Sequence, residues 1–173
     1  MNTNRLILRN RTRKLIIEML TYSQDQQMLF FGFETKEQLE YKLARIEKGL
    51  SNNYEDYHIF DLIEKKNNRV IGSCGFHKWV KDHDRSEIGY EIHSKYQNKG
   101  YMSEAIKEVI NYGFNIMKLN RIEALVDPEN KNSIRIIKKN AFIKEGVLRE
   151  HFKNGNEFED SIVYSLLRSD YHF

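Results

Sequence analysis

The sequence predicts an α+β fold, with a mixed, mostly antiparallel central sheet of about seven strands flanked by four helices. Strand-like segments joined by short turns occur at residues 57–80 and 142–167, and the Asn154-Gly155 pair in the second is a strong hairpin signal. A helix-periodic segment lies between the strand-like residues 85–92 and 121–126. This strand-helix-strand order predicts one parallel β-α-β unit within the otherwise antiparallel sheet.

The first half of the chain supplies one strand, two helices and a hairpin. Residues 5–9 alternate between apolar and polar side chains and predict the first strand. Thr12 is a candidate cap for a short helix that ends at Leu20. Thr35 and Gln38 have the spacing of a capping box, which predicts the start of a second helix. The hairpin follows, with strands predicted at residues 57–64 and 69–80 around a turn at 65–68.

The second half begins with the strand at residues 85–92 and continues with a strongly periodic helix from Gly100 to about Met117. The apolar residues of this helix recur at the spacing of a single buried face, and they are Met102, Ala105, Ile106, Val109, Ile110, Gly113 and Met117. The remaining predicted elements are a strand at residues 121–126, a helix at 130–140 and two hairpin strands at 142–152 and 158–167.

The composition limits the classes of protein to which the chain can belong. It has 173 residues, of which 40% are apolar and 31% charged, so we predict a single domain at residues 1–173 that folds without a metal or a disulfide. The one cysteine, Cys74, excludes an internal disulfide and a cysteine-rich zinc site. Residues 1–10 lack the apolar region of a signal peptide, and no apolar run approaches the roughly 20 residues of a membrane span. We therefore expect a cytoplasmic protein with no membrane partner.

The charge distribution argues against a nucleic-acid partner. The formal net charge is +3, and the basic residues are interleaved with acidic ones except between Arg5 and Lys14. A nucleic-acid-binding domain concentrates its lysine and arginine residues on one face. We interpret the N-terminal basic patch as a solvated edge strand and helix start.

A candidate anion site lies between the strand at residues 85–92 and the helix that follows. The turn Gln97-Asn98-Lys99-Gly100 leads directly into the helix N-terminus. The first N–H groups of a helix have no backbone partner, and the helix dipole adds positive charge at that end. Such a site commonly binds phosphate. A P-loop and the usual dinucleotide-binding glycine motif are both absent, so the phosphate would belong to another kind of ligand.

Several other chemistries are excluded by inspection of the sequence. Gly72-Ser73-Cys74-Gly75 lacks the spacing of a nucleophile elbow, and Cys74 is expected to be a buried apolar residue within a strand. The six histidine residues show no i, i+4 spacing, so we predict no metal site.

The order of the elements, taken with several short motifs, resembles the GNAT superfamily of acyl-CoA-dependent N-acetyltransferases, and most closely its RimJ/RimL type. The resemblance spans nearly the whole chain. Each motif alone is weak, but their order and spacing are specific. The matching segments are Arg5-Leu6-Ile7-Leu8-Arg9, Ile71-Gly72-Ser73-Cys74-Gly75, Glu87-Ile88-Gly89-Tyr90-Glu91-Ile92, Gln97 to Ala105, Asn120-Arg121-Ile122-Glu123, Asn130 with Ser133, Ala141-Phe142 and Glu145-Gly146.

The resemblance implies acetyl-CoA as the co-substrate and an acyl-CoA cleft at the β-α-β unit. It implies that N–H groups of the Gln97–Met102 turn hold the pyrophosphate, and that the pantetheine pairs with the strand near Ile92, whose N–H faces the thioester oxygen. Lys99 is a candidate for an added charge contact, and a solvated surface lysine is the alternative. The implied cofactor-binding residues are Ile92, His93, Gln97, Asn98, Lys99, Gly100, Tyr101, Met102, Ser103 and Asn130. Asn130 also has the position of an ordinary helix cap, so its two interpretations stay open.

The resemblance also implies the catalytic residues. Glu87 is the first candidate for the general base that deprotonates the amine, and Glu91 is the second because it lies on the same face of the strand. His93 is a further candidate. The tyrosine with which many members protonate the leaving thiolate is replaced here by Ile137, so the resemblance assigns that role to Ser133.

Two positions depart from the family pattern. Met102 stands where a glycine or alanine usually ends the phosphate loop, and its N–H remains available. Ala141 stands where a glycine usually follows the last helix, which costs stability only if that position requires a positive φ.

The expected acceptor is a primary amine, with the N-terminal amine of a ribosomal or other protein as the leading hypothesis. A small amine such as a polyamine or an amino sugar is the alternative, and a non-catalytic acyl-CoA-binding module is a third. The family pattern lines the acceptor site with residues 22–33 and the final hairpin, where Glu150, Glu157, Glu159 and Asp160 lie. Members of the superfamily often dimerise through sheet edges, so a homodimer also stays open.

Overall fold

Seven strands form one mixed sheet in the computed structural model, which describes the backbone of residues 1–51 and 57–172 and the side chains of all these except 48–51. The strands are β1 (Leu6–Asn10), β2 (His58–Glu64), β3 (Arg69–Val80), β4 (Arg85–Ile92), β5 (Arg121–Val126), β6 (Ile143–Asn154) and β7 (Glu157–Leu167). The helices are α1 (Arg13–Leu20), α2 (Gln24–Phe31), α3 (Lys36–Ser51), α4 (Tyr101–Asn115) and α5 (Lys131–Lys139).

The strand order is β1-β2-β3-β4-β5-β7-β6, and every neighbouring pair is antiparallel except β4 and β5. The parallel pair is joined through α4, as the β-α-β prediction requires. The predicted fold class is therefore confirmed, with one correction. Five helices occur in the described residues where the sequence analysis predicted four.

The helix that the sequence analysis missed is α2, which lies within residues 22–33. Its apolar residues form a continuous run at its C-terminal end, so they show no helical periodicity. The available signals were the capping box of Ser23 and Gln26 and the C-terminal Gly32, which has φ 72°. These end signals predict a short helix even where a periodic apolar face is missing.

The main apolar core lies between the sheet and helix α4. Every residue that the sequence analysis placed on the buried face of this helix is buried, including Met117 just beyond its end. Ala105, Ile106 and Val109 have no exposed surface. Helices α1, α2 and α3 form a second apolar cluster, which is centred on Ile16 and Phe31. Helix α3 contacts the sheet through Lys42, which pairs with Glu91 on β4.

Three charged residues link strands β1 and β2: Arg9 on β1, Arg11 just after it, and Asp61 on β2. The fully buried carboxylate of Asp61 accepts hydrogen bonds from the Arg9 Nη2 atom at 2.9 Å and from the Arg11 Nε atom at 2.8 Å. A buried carboxylate needs such partners, because desolvation of an unpaired charge is costly. The pairing places Arg11 in the wall of a cavity described below.

The turn after α5 places Ala141 at φ 63°, in the left-handed region that favours glycine. The departure from the family pattern at this position therefore carries a conformational cost. No helix in the described part of the chain is long and apolar enough to cross a membrane.

Candidate active site

A gap opens in the sheet where β4 and β5 diverge. The two strands pair from Arg85 with Arg121 to Glu87 with Glu123. Strand β4 continues to Ile92 along β3, but its other edge has no register partner on β5 beyond Glu87. The described residues 88–92 therefore present one edge of their main chain to the gap.

The main chain of Ile92 faces this gap. The N–H of the next residue, His93, donates to the Ile71 carbonyl on β3 at 2.9 Å. Successive residues of an antiparallel strand direct their N–H groups to opposite sides, so the N–H of Ile92 points away from β3. Its carbonyl accepts from the Gln97 Nε2 atom at 3.4 Å, which is consistent with this direction. An exposed strand edge of this kind can pair with an extended ligand.

The N-terminus of α4 closes one end of the gap. Asn98 has φ 58° and the N-cap residue Gly100 has φ 79°, so the turn places two residues in the left-handed region. The first N–H of the helix that bonds within it is that of Glu104, which donates to the Gly100 carbonyl at 3.1 Å. The preceding N–H groups have no intrahelical partner and are suited to bind an anion.

Arg5, which immediately precedes β1, makes hydrogen bonds to this turn. Its Nη1 atom donates to the Lys99 carbonyl at 2.9 Å, and its Nε atom donates to Glu104 at 2.7 Å. Its guanidinium also lies 4.4 Å from the centre of the Tyr101 ring. These contacts of Arg5 hold the turn before α4 in place. Sequence reasoning assigned Arg5 to a solvated edge strand and missed this contact.

A cavity of about 650 Å³ follows the α4 N-terminus and the free edge of β4. It is lined by most of the predicted cofactor-binding residues, namely Ile92, Gln97, Asn98, Gly100, Tyr101, Met102, Ser103 and Asn130. Lys99 is not among its lining residues, and its ammonium lies 5.6 Å from the Tyr96 ring. We call this space the cofactor cavity.

Two cations that the sequence analysis missed face the cofactor cavity from α5. Arg135 and Lys139 both line it, and they are four residues apart on one side of the helix. The spacing was visible in the sequence, but assigning it to the cavity required the position of α5. Bare N–H groups, an open strand edge and two cations match the phosphates and the extended pantetheine of a coenzyme A derivative.

A second cavity, of about 600 Å³, lies between α3 and strands β3, β4 and β5. We call it the acceptor cavity. Its lining carries charges of both signs: Arg11, Lys42, Arg45, Glu87, Glu91 and Asp127. Neither the residues 22–33 nor the final hairpin contributes to this lining, so the acidic hairpin residues named above lie outside it. Helix α3 supplies the wall that the sequence analysis assigned to those segments.

The two cavities share four lining residues, which are Tyr90, Glu91, Asn130 and Ser133. The Asn130 Oδ1 atom accepts from the Ser133 N–H at 3.0 Å and caps α5. The Tyr90 hydroxyl donates to the Ser133 carbonyl at 3.4 Å. Burial raises the pKa of Tyr90 to about 12, so its hydroxyl stays protonated and can act as a donor at neutral pH. Sequence reasoning did not single out Tyr90.

The two candidate catalytic carboxylates are both held by cations. Glu91 pairs with Lys42 and accepts from the Ser73 hydroxyl at 3.0 Å. Burial opposes the ionisation of Glu91, but Lys42 and Ser73 outweigh it, and the pKa of Glu91 falls to about 2. A carboxylate with so low a pKa is a poor base at neutral pH.

Glu87 contacts two residues of β3. Its Oε1 atom lies 3.1 Å from the His77 Nε2 atom, and its Oε2 atom accepts from the Lys78 ammonium at 2.8 Å. Burial acts to raise the pKa of Glu87, but the hydrogen bonds from His77 and Lys78 prevail and lower it. Glu87 is therefore ionised and engaged at both oxygens.

His93 follows Ile92 directly, but it contributes to neither cavity. Its ring is 5.4 Å from the Phe33 ring. Burial lowers the pKa of His93. Burial likewise raises the pKa of the Cys74 thiol, which also lines neither cavity. Among the described residues, no group of three or more metal-ligating side chains occurs.

Comparison with known proteins agrees with this arrangement. The family model of the acetyltransferase (GNAT) domain matches residues 5–143. The uncharacterized N-acetyltransferase p20 of Bacillus licheniformis is 42% identical over 112 residues, which cover 65% of this chain and 63% of that protein. The uncharacterized N-acetyltransferase YoaA of Bacillus subtilis (strain 168) is 36% identical and covers 97% of this chain and 96% of YoaA. The spermidine N(1)-acetyltransferase of Escherichia coli (strain K12) is 32% identical and covers 70% of this chain and 68% of that enzyme.

Solved structures share the same fold. A GNAT-family acetyltransferase from Bacillus anthracis superposes with a TM-score of 0.70 at 31% identity and covers 98% of each chain. The ribosomal-protein-S5-alanine acetyltransferase of Vibrio fischeri superposes with a TM-score of 0.72 at 19% identity, covering 99% of this chain and 98% of that one, and supports the fold alone. This chain therefore belongs to the GNAT acetyltransferase family, as an N-acetyltransferase that uses acetyl-CoA as its co-substrate.

Proposed function

We propose that the chain transfers the acetyl group of acetyl-CoA directly to the N-terminal amine of a protein, as RimJ/RimL-type enzymes do. The observation that carries this proposal is the meeting of the two cavities at Tyr90, Glu91, Asn130 and Ser133. A thioester in the cofactor cavity and an amine in the acceptor cavity would meet at that point. Direct transfer needs no enzyme nucleophile, and the buried Cys74 lines neither cavity.

In this proposal the cofactor cavity binds acetyl-CoA through main-chain groups. The free N–H groups at the start of α4 and the cations Arg135 and Lys139 bind its phosphates. The pantetheine extends along the open edge of β4, and the N–H of Ile92 stabilises the oxyanion that forms when the amine attacks the thioester. Arg5 supports this arrangement by holding the Lys99 carbonyl and Glu104 in place.

The acceptor amine must lose a proton before it can attack, and the departing sulfur must be stabilised as a thiolate. We assign Glu87 to the deprotonation step, because it lines the acceptor cavity, remains ionised and contacts the His77 imidazole, through which it can act. The hydroxyls of Ser133 and Tyr90 are the donors that we assign to the sulfur, since both residues line the two cavities. Glu91 keeps Lys42 in place and has a positioning role.

The charge of the acceptor cavity supports a peptide terminus over a polyamine. Its described lining carries three cations, Arg11, Lys42 and Arg45, which balance the three carboxylates, so the cavity offers a polycation no net negative charge. A peptide offers one amine, and its carbonyl groups can accept hydrogen bonds from the cations. A small amine is the second candidate, and the observation that favours it is the 32% identity with a spermidine N(1)-acetyltransferase.

The proposal is tested by measuring the release of free CoA from acetyl-CoA in the presence of different amines. The panel consists of peptides that begin with Ser, Ala or Met, together with spermidine and an aminoglycoside. We expect turnover on a peptide and none on the same peptide with its N-terminus already acetylated. Preferred turnover on spermidine or the aminoglycoside would assign the chain to the small-amine enzymes. Absence of CoA release with every amine would contradict the proposal.

A further inference from the structure

His77 and Glu87 form a hydrogen-bonded pair across the β3–β4 ladder. The two residues are directly opposite each other in the register, and their Nε2 and Oε1 atoms are 3.1 Å apart. A neutral His77 ring that donates to the ionised Glu87 carries its proton on Nε2, because the carboxylate can only accept. The Nδ1 atom of a neutral His77 ring then has a free lone pair. This is the tautomer that a base requires, and it is fixed by a carboxylate partner.

The His77 ring lies over Gly89, which also lines the acceptor cavity. A Cβ atom placed on Gly89 would be 2.8 Å from the His77 Cε1 atom and 3.2 Å from its Nδ1 atom. The edge of the ring that carries the lone pair therefore occupies the space that the missing side chain leaves. His77 and Gly89 both line the acceptor cavity, together with Glu87 and Glu91.

The backbone around His77 is held in an unusual conformation. The buried hydroxyl of Ser86 donates to the His77 carbonyl at 2.9 Å. The ladder is interrupted by a bulge between His77 and Val80, and the next residue, Lys78, has φ 53°. A left-handed conformation is strained for a lysine. Bulges of this kind occur beside active sites, where they direct a side chain. Here the bulge lets both His77 and Lys78 reach Glu87.

The carboxylates that line the acceptor cavity all have partners, including Asp127, whose Oδ1 atom accepts from the Glu129 N–H at 2.8 Å. Both oxygens of Glu87 are engaged, by His77 and Lys78, and Glu91 is engaged by Lys42 and Ser73. The charged or titratable groups that line the acceptor cavity with His77 are Glu87, Tyr90 and Glu91 on β4, Arg11 after β1, Lys42 and Arg45 on α3, Tyr57 before β2 and Asp127 after β5. Lys78 on β3 and Glu123 on β5 lie beside Glu87.

We propose that the Nδ1 atom of His77 is the proton acceptor for the substrate amine, and that Glu87 is the positioning residue that holds the imidazole. This inference rests on the proposed acetyl transfer and specifies how Glu87 takes part in it. The incoming ammonium gives one proton to Nδ1, and the nitrogen lone pair then forms the C–N bond to the thioester carbon. The C–S bond breaks with its electron pair on sulfur, a second N–H proton passes to the thiolate, and His77 releases its proton to solvent.

The test compares H77Q with H83Q in the full-length protein. His83 lies in the exposed turn before β4 and lines neither cavity, so it is the matched control. A general base contributes roughly 10²–10⁴-fold to the rate, so kcat of H77Q should fall at least about 100-fold. The KM for acetyl-CoA and the melting temperature should not change, because glutamine can still donate to Glu87.

The pH profile of kcat/KM shows whether the group that must be deprotonated for reaction belongs to the enzyme or to the acceptor amine. Two acceptors whose amines differ in pKa are compared. If the acid limb of the profile reports the acceptor amine, its midpoint shifts with the amine pKa; if it reports an enzyme group, its midpoint stays the same. We expect an acid limb that stays fixed for the native protein and is absent in H77Q. An H77Q profile and kcat equal to those of the native protein would overturn the role of His77 while leaving the transferase proposal intact. Failure of the native protein to turn over any amine would overturn both.

Discussion

The imidazole of His77 occupies the space above Gly89, on the strand beside its own. A Cβ atom at Gly89 would come within 2.8 Å of the His77 Cε1 atom. Gly89 therefore leaves room for the His77 ring, which a larger residue at this position would displace. Because the contact joins residues from two strands, it depends on the β3–β4 register and on the bulge that follows His77.

G89A is therefore expected to impair catalysis without unfolding the protein. The added methyl group meets a side chain that can rotate away, and alanine is favoured over glycine in a strand by about 0.5–1 kcal/mol. We expect kcat to fall at least about tenfold, while the melting temperature stays within a few degrees of the native value. The control is G146A, since a Cβ atom there meets nothing within 4 Å. Equal kcat values for the two variants would contradict the assigned position of His77.

A141G is expected to stabilise the protein. Ala141 has φ 63°, a conformation that costs an L-residue about 1–2 kcal/mol and costs glycine nothing. The glycine variant has a more flexible unfolded chain, and this lowers its stability by about 0.4–1 kcal/mol, which offsets part of the gain. We expect a net increase of up to about 1 kcal/mol in the free energy of unfolding, which is about 2–4 °C in melting temperature. The same change at Ala105, inside α4, should lower the stability.

E91Q is expected to destabilise the fold, because it removes the partner of a buried ammonium. The Lys42 side chain is only 10% exposed, whereas that of Glu91 is 46% exposed. Leaving Lys42 without its carboxylate should cost about 1–3 kcal/mol. The double variant K42M/E91Q removes the buried charge as well and should recover part of the loss. Urea unfolding measures the free energy of unfolding of E91Q and of K42M/E91Q. Equal decreases in the two variants would contradict the pairing of Lys42 with Glu91.

The contribution of this pair should also depend on pH. The folded-state pKa of Glu91 is about 2, below the unfolded value of about 4.3. A lowered carboxyl pKa contributes stability that is present above the unfolded pKa and is lost as the pH falls through the folded pKa. The difference in unfolding free energy between the native protein and E91Q should therefore be constant from about pH 5 to 7 and shrink below about pH 4. A difference that is the same at pH 3 and pH 7 would contradict this.

The parts of the fold and site that depend on neighbouring residues could be predicted from the sequence. The β-α-β unit, the final hairpin and the turn that begins α4 each arise from periodicity or turn chemistry within a short segment. The pairs His77–Glu87 and Lys42–Glu91 could not be predicted in the same way. They join residues on different elements, and their formation depends on strand register, on a bulge and on how α3 packs over the sheet.

R135Q and K139Q are expected to weaken the binding of acetyl-CoA and leave kcat largely unchanged. Both side chains line the cofactor cavity on one side of α5, and their charges would act on the phosphates, which do not change during the reaction. We expect the KM for acetyl-CoA to rise several-fold in each variant and the difference to shrink at high salt. K138Q, on the same helix but outside the lining, is the control. A similar rise in K138Q would indicate a general effect of charge.

Variants of Asn130 and Ser133 can separate a helix cap from a catalytic role. The Asn130 Oδ1 atom accepts from the Ser133 N–H, so N130A should lose about 1 kcal/mol of stability through the cap. N130D keeps an acceptor at that atom but removes the amide donor, so it should retain the stability and raise the KM for acetyl-CoA. S133A removes only a hydroxyl from the junction of the two cavities and should lower kcat with little change in that KM. Unchanged kinetics in both N130D and S133A would assign these residues to the structure of α5 alone.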